Sequence, residues 1–376
     1  MGNQVLEWDD LLAALDASPM IVDMHPVLYA FLPDEVRVVH DSAEASWLMD
    51  SPDPTLLSKM IIQREAALYR GRFPHVKCSR DPFSQELNRV MLQRFDLISE
   101  SMLCQSVIAD RILSRTSREI DVVVLMLVDG LGYEDARQAV RDGVLPSAFE
   151  LEPSLVDVPT MTRAAFPNIV GSPPICVRLF RQGFYERLAF SYWTREDNAL
   201  SDRIFQGFPH VQKTGQFDLI TGSLREALTE GGDAKKYVQI LRTGLDGYVH
   251  AQKRFPPVQA IVDQVFAEFI ELTELCAELG ARALLFLTAD HGILWRNQFT
   301  PVLVGAGHGQ SSPRYCGWRE VHGLKTDQYR QFKWETEDIY CLASPYIRRE
   351  LRIDEQGVHG GISYEESIVP LVSMSV

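Results

Sequence analysis

The 376-residue sequence has few of the features that mark several common protein classes. It has six cysteines and no C-x-x-C pair, no low-complexity tract and no internal repeat. No apolar run approaches the roughly 20 residues that a membrane-spanning helix needs. The first ten residues carry neither a basic nor a strongly apolar segment, so we predict no secretory signal. Scattered cysteines are typical of reduced thiols, and we therefore expect a cytoplasmic protein that has no membrane partner.

Positive charge is also scarce, with 37 Lys and Arg against 51 Asp and Glu and a formal net charge of −14. This balance argues against a general nucleic-acid-binding surface. It does not exclude a substrate that carries phosphate, provided that local cations supply the attraction. The sequence lacks a Walker A motif and a G-x-S-x-G motif, which disfavours P-loop nucleotide hydrolysis and α/β-hydrolase chemistry.

Two long apolar runs each end in an acidic residue followed closely by glycine. Seven consecutive apolar residues, four of them β-branched, lead to Asp129-Gly130. A second run from Ala283 leads to Asp290-His291-Gly292. Such runs are typical of strands buried on both faces of a parallel sheet. Because ligands bind at the carboxyl ends of these strands, we expect both acids to lie at the mouth of a site.

The alternation of strand and helix patterns predicts an α/β fold with a central, largely parallel sheet flanked by helices. Residues 1–118 are predicted to form a mostly helical accessory region, and residues 119–376 the main domain. Within this domain we interpret residues 172–215 as a cap or insertion. Its aromatic residues either stack on a nucleobase or form the core of the cap itself. Further strands are expected at 154–158, 217–220, 237–241 and 368–374, and a helix at 258–279.

Further potential metal ligands follow in the second half of the chain. Asp246 and His250 have a D-x-x-x-H spacing that puts both side chains on one face of a helix. His359 precedes two glycines, which leave its imidazole unobstructed. Each feature alone has a structural explanation, such as helix capping by Asp129 or a surface Asp–His pair. The complete set contains three carboxylates and three imidazoles: Asp129, Asp246, His250, Asp290, His291 and His359.

This set of oxygen and nitrogen donors, without thiolate, suits zinc or manganese. Six ligands are too many for one tetrahedral ion, so the set predicts a two-metal centre of the kind that catalyses phosphoryl transfer. A nucleophile is expected at Thr162, at the start of a predicted helix, where backbone N–H groups would face a phosphate. The alternative is that Thr162 only caps that helix. Arg163 would add a guanidinium group, and Ser363 with Glu366 fits a capping box, which makes Glu366 structural.

In this order, the motifs V-D-G, P-T-x-T, D-x-x-x-H, A-D-H-G and H-G-G resemble the alkaline phosphatase superfamily. The ending from His359 to Pro370 resembles its PglZ-domain branch, which occurs in bacterial phage-defence and signalling proteins. The resemblance covers about residues 120–376 and implies an alkaline phosphatase-like fold for the main domain. It also implies two divalent metal ions, most often zinc.

The resemblance further implies a role for each motif residue. One metal ion would be held by Asp129, Thr162, Asp290 and His291, and the other by Asp246, His250 and His359. Thr162 would attack phosphorus to form a phosphothreonine that water then hydrolyses. Thr160 is the alternative nucleophile, because the motif can be aligned two residues earlier. His308 and Arg314 lie where PglZ-like chains often carry a basic loop, and on that ground we predict that they contact the substrate.

The implied activity is that of a phosphodiesterase on a nucleotide or another small phosphate ester. Two alternatives stay open: a phosphomonoesterase, and a non-catalytic scaffold that binds protein partners in a defence complex. Sulfatases are disfavoured because Thr162 stands where they need a modifiable Cys or Ser. A dinucleotide-binding oxidoreductase is disfavoured because Gly130-x-Gly132 is followed by Asp135 in place of a third small residue.

Overall fold

The chain divides into two compact units, Met1–Leu87 and Asn88–Val376, in a computed structural model. The structure describes residues 4–6, 8–16, 18–23, 32, 35–39, 59–63, 75–78 and 88. From residue 91 to the C-terminus it describes all but 195–196, 231, 233, 251–253 and 306–311.

The first unit contains a parallel sheet, so the prediction of a mostly helical accessory region is wrong for its described residues. Five short strands lie in the order β1-β5-β2-β4-β3, and every pairing is parallel. The strands are only three or four residues long, too short to show a strand periodicity in the sequence. They run Gln4–Leu6 (β1), Met20–Asp23 (β2), Arg37–Val39 (β3), Met60–Gln63 (β4) and His75–Cys78 (β5), with helix Trp8–Leu15 (α1) after the first.

The second unit is built on an eight-stranded sheet in the order β10-β9-β11-β7-β12-β20-β8-β6. Only β20 runs antiparallel to its neighbours, which confirms a large, mostly parallel central sheet. Its strands run Leu103–Cys104 (β6), Val122–Asp129 (β7), Glu150–Leu155 (β8), Glu186–Tyr192 (β9), Gln212–Lys213 (β10), Lys236–Thr243 (β11), Ala283–Ala289 (β12) and Ile368–Ser375 (β20).

Helices cover both faces of this sheet. They run Phe95–Ser101 (α2), Ile108–Arg115 (α3), Tyr133–Arg141 (α4), Thr162–Val170 (α5), Ile175–Phe180 (α6), Asn198–Ile204 (α7), Phe217–Glu230 (α8), Val258–Glu278 (α9) and Tyr364–Ser367 (α10). Short strands add smaller sheets: Leu294–Trp295 (β13), Val302–Leu303 (β14), Tyr315–Gly317 (β15), Tyr329–Trp334 (β16), Glu337–Leu342 (β17), Tyr346–Ile347 (β18) and Gly357–Val358 (β19). Among the described residues, no helix is both long enough and apolar enough to cross a lipid bilayer.

The central strand β7 explains why the sheet is buried on both faces. Alternate residues of a strand point to opposite faces. Val122, Val124, Met126 and Val128 pack in one hydrophobic core, whereas Val123, Leu125 and Leu127 pack in the other. The predicted uninterrupted apolar strand is therefore confirmed, and its tip, Asp129, emerges between two well-packed layers.

Two further predictions about the second unit differ from the structure. Residues 172–215 are not a separate cap, because β9 hydrogen-bonds to β11 inside the central sheet and α6 and α7 pack on it. Residues 217–220 begin helix α8 and not a strand, because Phe217, Ile220 and Leu224 form one buried helical face. The unit also begins near residue 88 and not 119, since β6 joins the sheet and α3 packs in its core.

Candidate metal centre and active site

Three neighbouring parallel strands deliver the acidic residues to one edge of the sheet. Asp129 ends β7, and Asp290 follows β12 directly. Asp246 lies in a short 3₁₀ helix, Leu245–Tyr248, just after β11. Because β11, β7 and β12 are adjacent and parallel, their carboxyl ends coincide, as expected for the ligand-binding edge of such a sheet.

The first group of candidate ligands consists of Asp129, Asp290 and His291, all fully buried. One donor atom from each lies within 4.8 Å of the others. Asp290 Oδ1 accepts hydrogen bonds from the backbone N–H groups of Gly130 and His291, both at 2.9 Å. Asp290 Oδ2 accepts no hydrogen bond from the described residues and lies 3.3 Å from Nε2 of His291. One oxygen is thus fixed by the backbone while the other is directed into the group.

The second group consists of Asp246, His250 and His359, again with donor atoms within 4.8 Å of one another. Asp246 Oδ1 lies 3.2 Å from Nε2 of His359 and 3.8 Å from Nε2 of His250. Asp246 is buried, whereas the His250 side chain is 38% exposed and gives this group a side open to solvent. The structure therefore brings together all six residues of the predicted ligand set.

Backbone carbonyl groups orient two of the imidazoles. His291 Nδ1 lies 3.1 Å from the carbonyl oxygen of Gly292, and His359 Nδ1 lies 3.0 Å from that of Thr160. A carbonyl oxygen only accepts, so Nδ1 carries a proton in each ring, and Nε2 is the ring atom directed at the carboxylates. This arrangement, with a second polar atom holding the ring of a metal-binding histidine, is the usual one in metal sites.

The two threonines of the P-T-x-T motif differ in their contacts. Thr162 is the first residue of helix α5, and its Oγ1 lies 3.3 Å from Nε2 of His291. Thr160 donates from Oγ1 to the Gly361 carbonyl at 2.6 Å and accepts from the Gly360 N–H at 3.0 Å. The Thr160 hydroxyl therefore stabilises the loop that carries His359. Of the two threonine hydroxyls, that of Thr162 is the one in contact with a candidate metal ligand.

Gly130 makes the close approach between the two groups sterically feasible. Its φ of +81° is a conformation that glycine adopts readily and other residues rarely do. A Cβ at this position would come within 2.8 Å of the backbone nitrogen of Asp246. Gly130 is therefore explained by the close packing of Asp246 beside it, and a role in binding a dinucleotide phosphate is not needed.

The charge balance of the groups favours bound cations. Burial, followed by the nearby Asp129 carboxylate, raises the pKa of Asp290 well above its usual range. Ionising several buried carboxylates side by side is costly without compensating positive charge. Divalent cations supply that charge, and a donor set of carboxylate oxygens and imidazole nitrogens fits them. The residues present thus fit two metal ions.

The structure places the three predicted substrate contacts differently. Arg163 is exposed beside Thr162. Arg314 is fully buried, with Nε and Nη2 bonded to Glu366 at 3.0 and 2.5 Å and its other N–H groups directed at backbone carbonyls. The substrate-contact prediction for Arg314 is therefore wrong, because all three nitrogens of this buried guanidinium bond to Glu366 or to backbone carbonyls. His308 lies outside the described residues.

Two residues near the site have no motif that marks them in the sequence. Gln105 donates from Nε2 to the carbonyl oxygens of Ala289 and Asp290 at 2.7 and 2.9 Å, which anchors the end of β12. Trp193 donates from Nε1 to Asp129 Oδ2 at 2.7 Å. The neighbouring aromatic residues Phe184 and Phe190 are buried in the cores of the sheet, so they pack and do not stack on a ligand.

Comparison with known proteins finds no protein-family model and no curated protein that matches the chain. Among solved structures, the chain is similar to murine ectonucleotide pyrophosphatase/phosphodiesterase 5, with 12% identity over 66% of this chain and 87% of that one, at a TM-score of 0.45. Phosphonoacetate hydrolase from Sinorhizobium meliloti 1021, in complex with phosphonoacetate, gives 11% identity, coverage of 68% and 90%, and a TM-score of 0.44. At these identities and scores, the activity of this chain has to be inferred from its own residues.

Proposed function

We propose that this chain is a metal-dependent phosphoesterase of the alkaline phosphatase superfamily, and that it acts as a phosphodiesterase with Thr162 as nucleophile. The observation that carries the proposal is the convergence of two three-residue ligand groups beside one hydroxyl. Thr162 Oγ1 lies 3.3 Å from Nε2 of His291, at the start of helix α5. A threonine hydroxyl is a weak nucleophile by itself and needs activation by a neighbouring group.

The residues suited to hold the metal ions are the two groups described above. Asp129, Asp290 and His291, together with Thr162, would hold one ion, and Asp246, His250 and His359 the other. Zinc fits this donor set well, and manganese is also compatible with it. When bound, such ions supply positive charge that lowers the pKa of a nearby hydroxyl and stabilises the charge of a phosphoryl group.

The residues of this chain then account for the reaction. After the Thr162 hydroxyl loses its proton to water, Oγ1 attacks phosphorus and the bond to the leaving alcohol breaks. The alcohol departs with a proton from water, and Thr162 is left as a phosphodiester that still carries the second alcohol of the substrate. A water molecule cleaves this ester, returns a proton to Thr162 and releases a phosphate monoester. Thr162 is the first residue of α5, so the N-terminal N–H groups of this helix would stabilise the charge of the phosphoryl oxygens, as helix N-termini do in anion sites.

A diester suits the charges of the site better than a monoester. Three carboxylates lie in the ligand groups, and the exposed Arg163 is the next residue after Thr162. With two divalent cations bound, the three carboxylates leave the ligand groups with a net charge of about +1, which matches the single negative charge of a diester more closely than the nearly two charges of a monoester. The substrate class that we propose is therefore a nucleotide or another small phosphate diester. The PglZ branch and its defence partners stay a prediction from the C-terminal motif.

The test is hydrolysis of bis-p-nitrophenyl phosphate and p-nitrophenyl phosphate by the full chain, after chelator treatment and return of zinc or manganese. We expect metal-dependent activity with the diester preferred. Thr162→Ala should lower kcat by at least about 1,000-fold even at saturating metal, where Asp129, Asp290 and His291 still hold their ion. Thr162→Ser keeps a hydroxyl and should retain measurable activity.

Two readouts separate this mechanism from its alternatives. Mass spectrometry of acid-quenched enzyme should find a p-nitrophenyl phosphoryl group on the peptide that contains Thr162 when bis-p-nitrophenyl phosphate is the substrate. Asp290→Asn should lose both metal and activity, because it removes a charged ligand. Full activity in Thr162→Ala would rule out the nucleophile assignment. Metal-loaded wild type with no activity on either ester would favour the non-catalytic scaffold.

A further inference from the structure

We infer that Trp193 is a positioning residue for the metal site: its indole N–H sets the rotation of the Asp129 carboxylate. The inference rests on the function proposed above and adds a residue that no motif contains. Trp193 Nε1 donates to Asp129 Oδ2 at 2.7 Å. An indole N–H can only donate, so Oδ2 must be the acceptor in this pair.

The register of the sheet explains how a distant residue reaches Asp129. Arg242 of β11 is the Cα partner of Val128 on one side and of Tyr192 on the other. Thr243 is then the Cα partner of Asp129, and Trp193 directly follows Tyr192, the last residue of β9. Two strand spacings, about 10 Å, separate the backbones of Trp193 and Asp129. A long side chain is needed to cross this distance, and the indole does so.

The Trp193 side chain and the residue that follows it are both held in place. The backbone N–H of Thr194 donates to Thr243 Oγ1 at 2.9 Å, and the two hydroxyl oxygens lie 3.2 Å apart. The Trp193 ring packs against the hydrophobic core that includes Leu127, Leu241 and Phe205. The donor is therefore held in place before any ligand binds, as required of a group that orients a metal ligand.

The consequence for metal binding is specific to one of the two groups. Removing a hydrogen bond to a metal-binding residue commonly weakens metal affinity by about 10- to 100-fold. Trp193→Phe keeps an aromatic ring in the core and removes the N–H. We expect it to weaken the metal ion held by Asp129, Asp290 and His291 to that extent. The ion held by Asp246, His250 and His359 should keep its affinity within about threefold, because none of these residues bonds to Trp193 among the described contacts.

The experiment is a stepwise titration of the chelator-treated full chain with Zn²⁺ against a chromophoric chelator. Wild type should show two binding steps, and Trp193→Phe should weaken one of them. Trp334→Phe, in the separate sheet β15-β17-β16, is the matched control and should change neither. The loss caused by Trp193→Phe should vanish in an Asp129→Ala background, because the carboxylate through which it acts is then missing.

Several outcomes would overturn the inference, and they differ from failure of the proposed function. Wild-type affinity in Trp193→Phe, or an equal loss in the Asp129→Ala background, removes the positioning role and leaves the phosphoesterase proposal intact. Wild type that binds no metal ion overturns both. If Trp193→Phe fails to fold, Thr243→Val tests the same contact by removing the anchor of Thr194. It should weaken the same binding step, and unchanged affinity there would also count against the inference.

Discussion

The imidazole rings of His291 and His359 are stacked, with centroids 4.0 Å apart and planes 4° from parallel. One ring belongs to each ligand group, so this contact joins the two groups directly. Two imidazolium cations at this distance would repel each other strongly, whereas two neutral rings stack without such a penalty. The stacking therefore favours neutral imidazole rings, the form in which histidine binds a metal ion.

Substitution of Thr160 should affect metal binding more than chemistry. Thr160→Val removes the hydroxyl that bonds to Gly360 and Gly361, and so loosens the loop that carries His359. We expect roughly a tenfold loss of affinity for the metal ion held by the Asp246 group, measured by chelator competition. At saturating metal, Thr160→Val should still form the covalent phosphoryl adduct at Thr162. If it formed none although fully loaded, Thr160 would be the nucleophile instead.

Gly130→Ala should damage both stability and metal binding. The substitution forces a non-glycine residue to φ +81° and places Cβ 2.8 Å from the Asp246 nitrogen. We expect the free energy of unfolding to fall by more than about 2 kcal/mol, measured by urea denaturation, because backbone strain and the clash add. Gly143→Ala is the matched control: its φ is +76°, and a Cβ there would meet nothing within 4 Å. An equal loss of unfolding free energy in both variants would show that the clash with Asp246 does not contribute to the destabilisation.

Substitution of Arg314 should lower the stability of the protein, whereas substitution of Arg163 should weaken substrate binding. Arg314→Met leaves the buried Glu366 carboxylate without its guanidinium partner, and removing one member of a buried pair commonly costs about 3–5 kcal/mol. We expect a fall of this size in the free energy of unfolding, partly recovered by adding Glu366→Gln. Arg163→Ala removes an exposed side chain and should leave stability within about 0.5 kcal/mol while raising KM for the diester. Unchanged stability in Arg314→Met would contradict the structural role.

Stability should depend on the ionisation of Glu365. Burial is the main cause that raises the pKa of this carboxyl from 4.5 to about 7, and its Oε2 accepts no hydrogen bond from the described residues. A raised folded-state pKa means that the stabilising contribution is complete below pH 4.5 and is lost as the pH rises through about 7. Glu365→Gln, which stays neutral, should gain stability relative to wild type by roughly 2 kcal/mol between pH 5 and pH 8. Parallel pH profiles for the two proteins would contradict this.

The sequence predicts those structural features that depend on residues close to one another in the chain. Seven apolar residues in a row predict a strand buried on both faces, and β7 is such a strand. Pro257 before an apolar periodicity predicts the start of a helix, and α9 begins at Val258. Ser363 with Glu366 predicts a capping box, which forms at α10. The order of the ligand motifs also predicts the six candidate metal ligands, and the fold places them in two neighbouring groups.

Other features depend on contacts between distant segments and have no local signal. The parallel sheet of residues 1–87 is not predicted from the sequence, because its strands have only three or four residues. Such short strands are stabilised by pairing with neighbouring strands and show no clear pattern of apolar residues. The aromatic segment around β9 looked like a cap because its place inside the sheet is set by pairing with β11, about 50 residues later. Arg314 looked like a substrate contact because nothing near it in sequence shows that Glu366 is its partner.

The sequence by itself determined the kinds of atoms available for chemistry: three carboxylates, three imidazoles and a threonine hydroxyl, each next to a backbone that can turn. Local patterns suffice for this, because strand ends and glycine turns are encoded within a few residues. Only the tertiary structure decided how these atoms are arranged. It directed Thr162 toward His291, bound Thr160 to the His359 loop and brought Trp193 across two strands to Asp129. Such choices depend on sheet register and packing, which join residues tens to hundreds of positions apart.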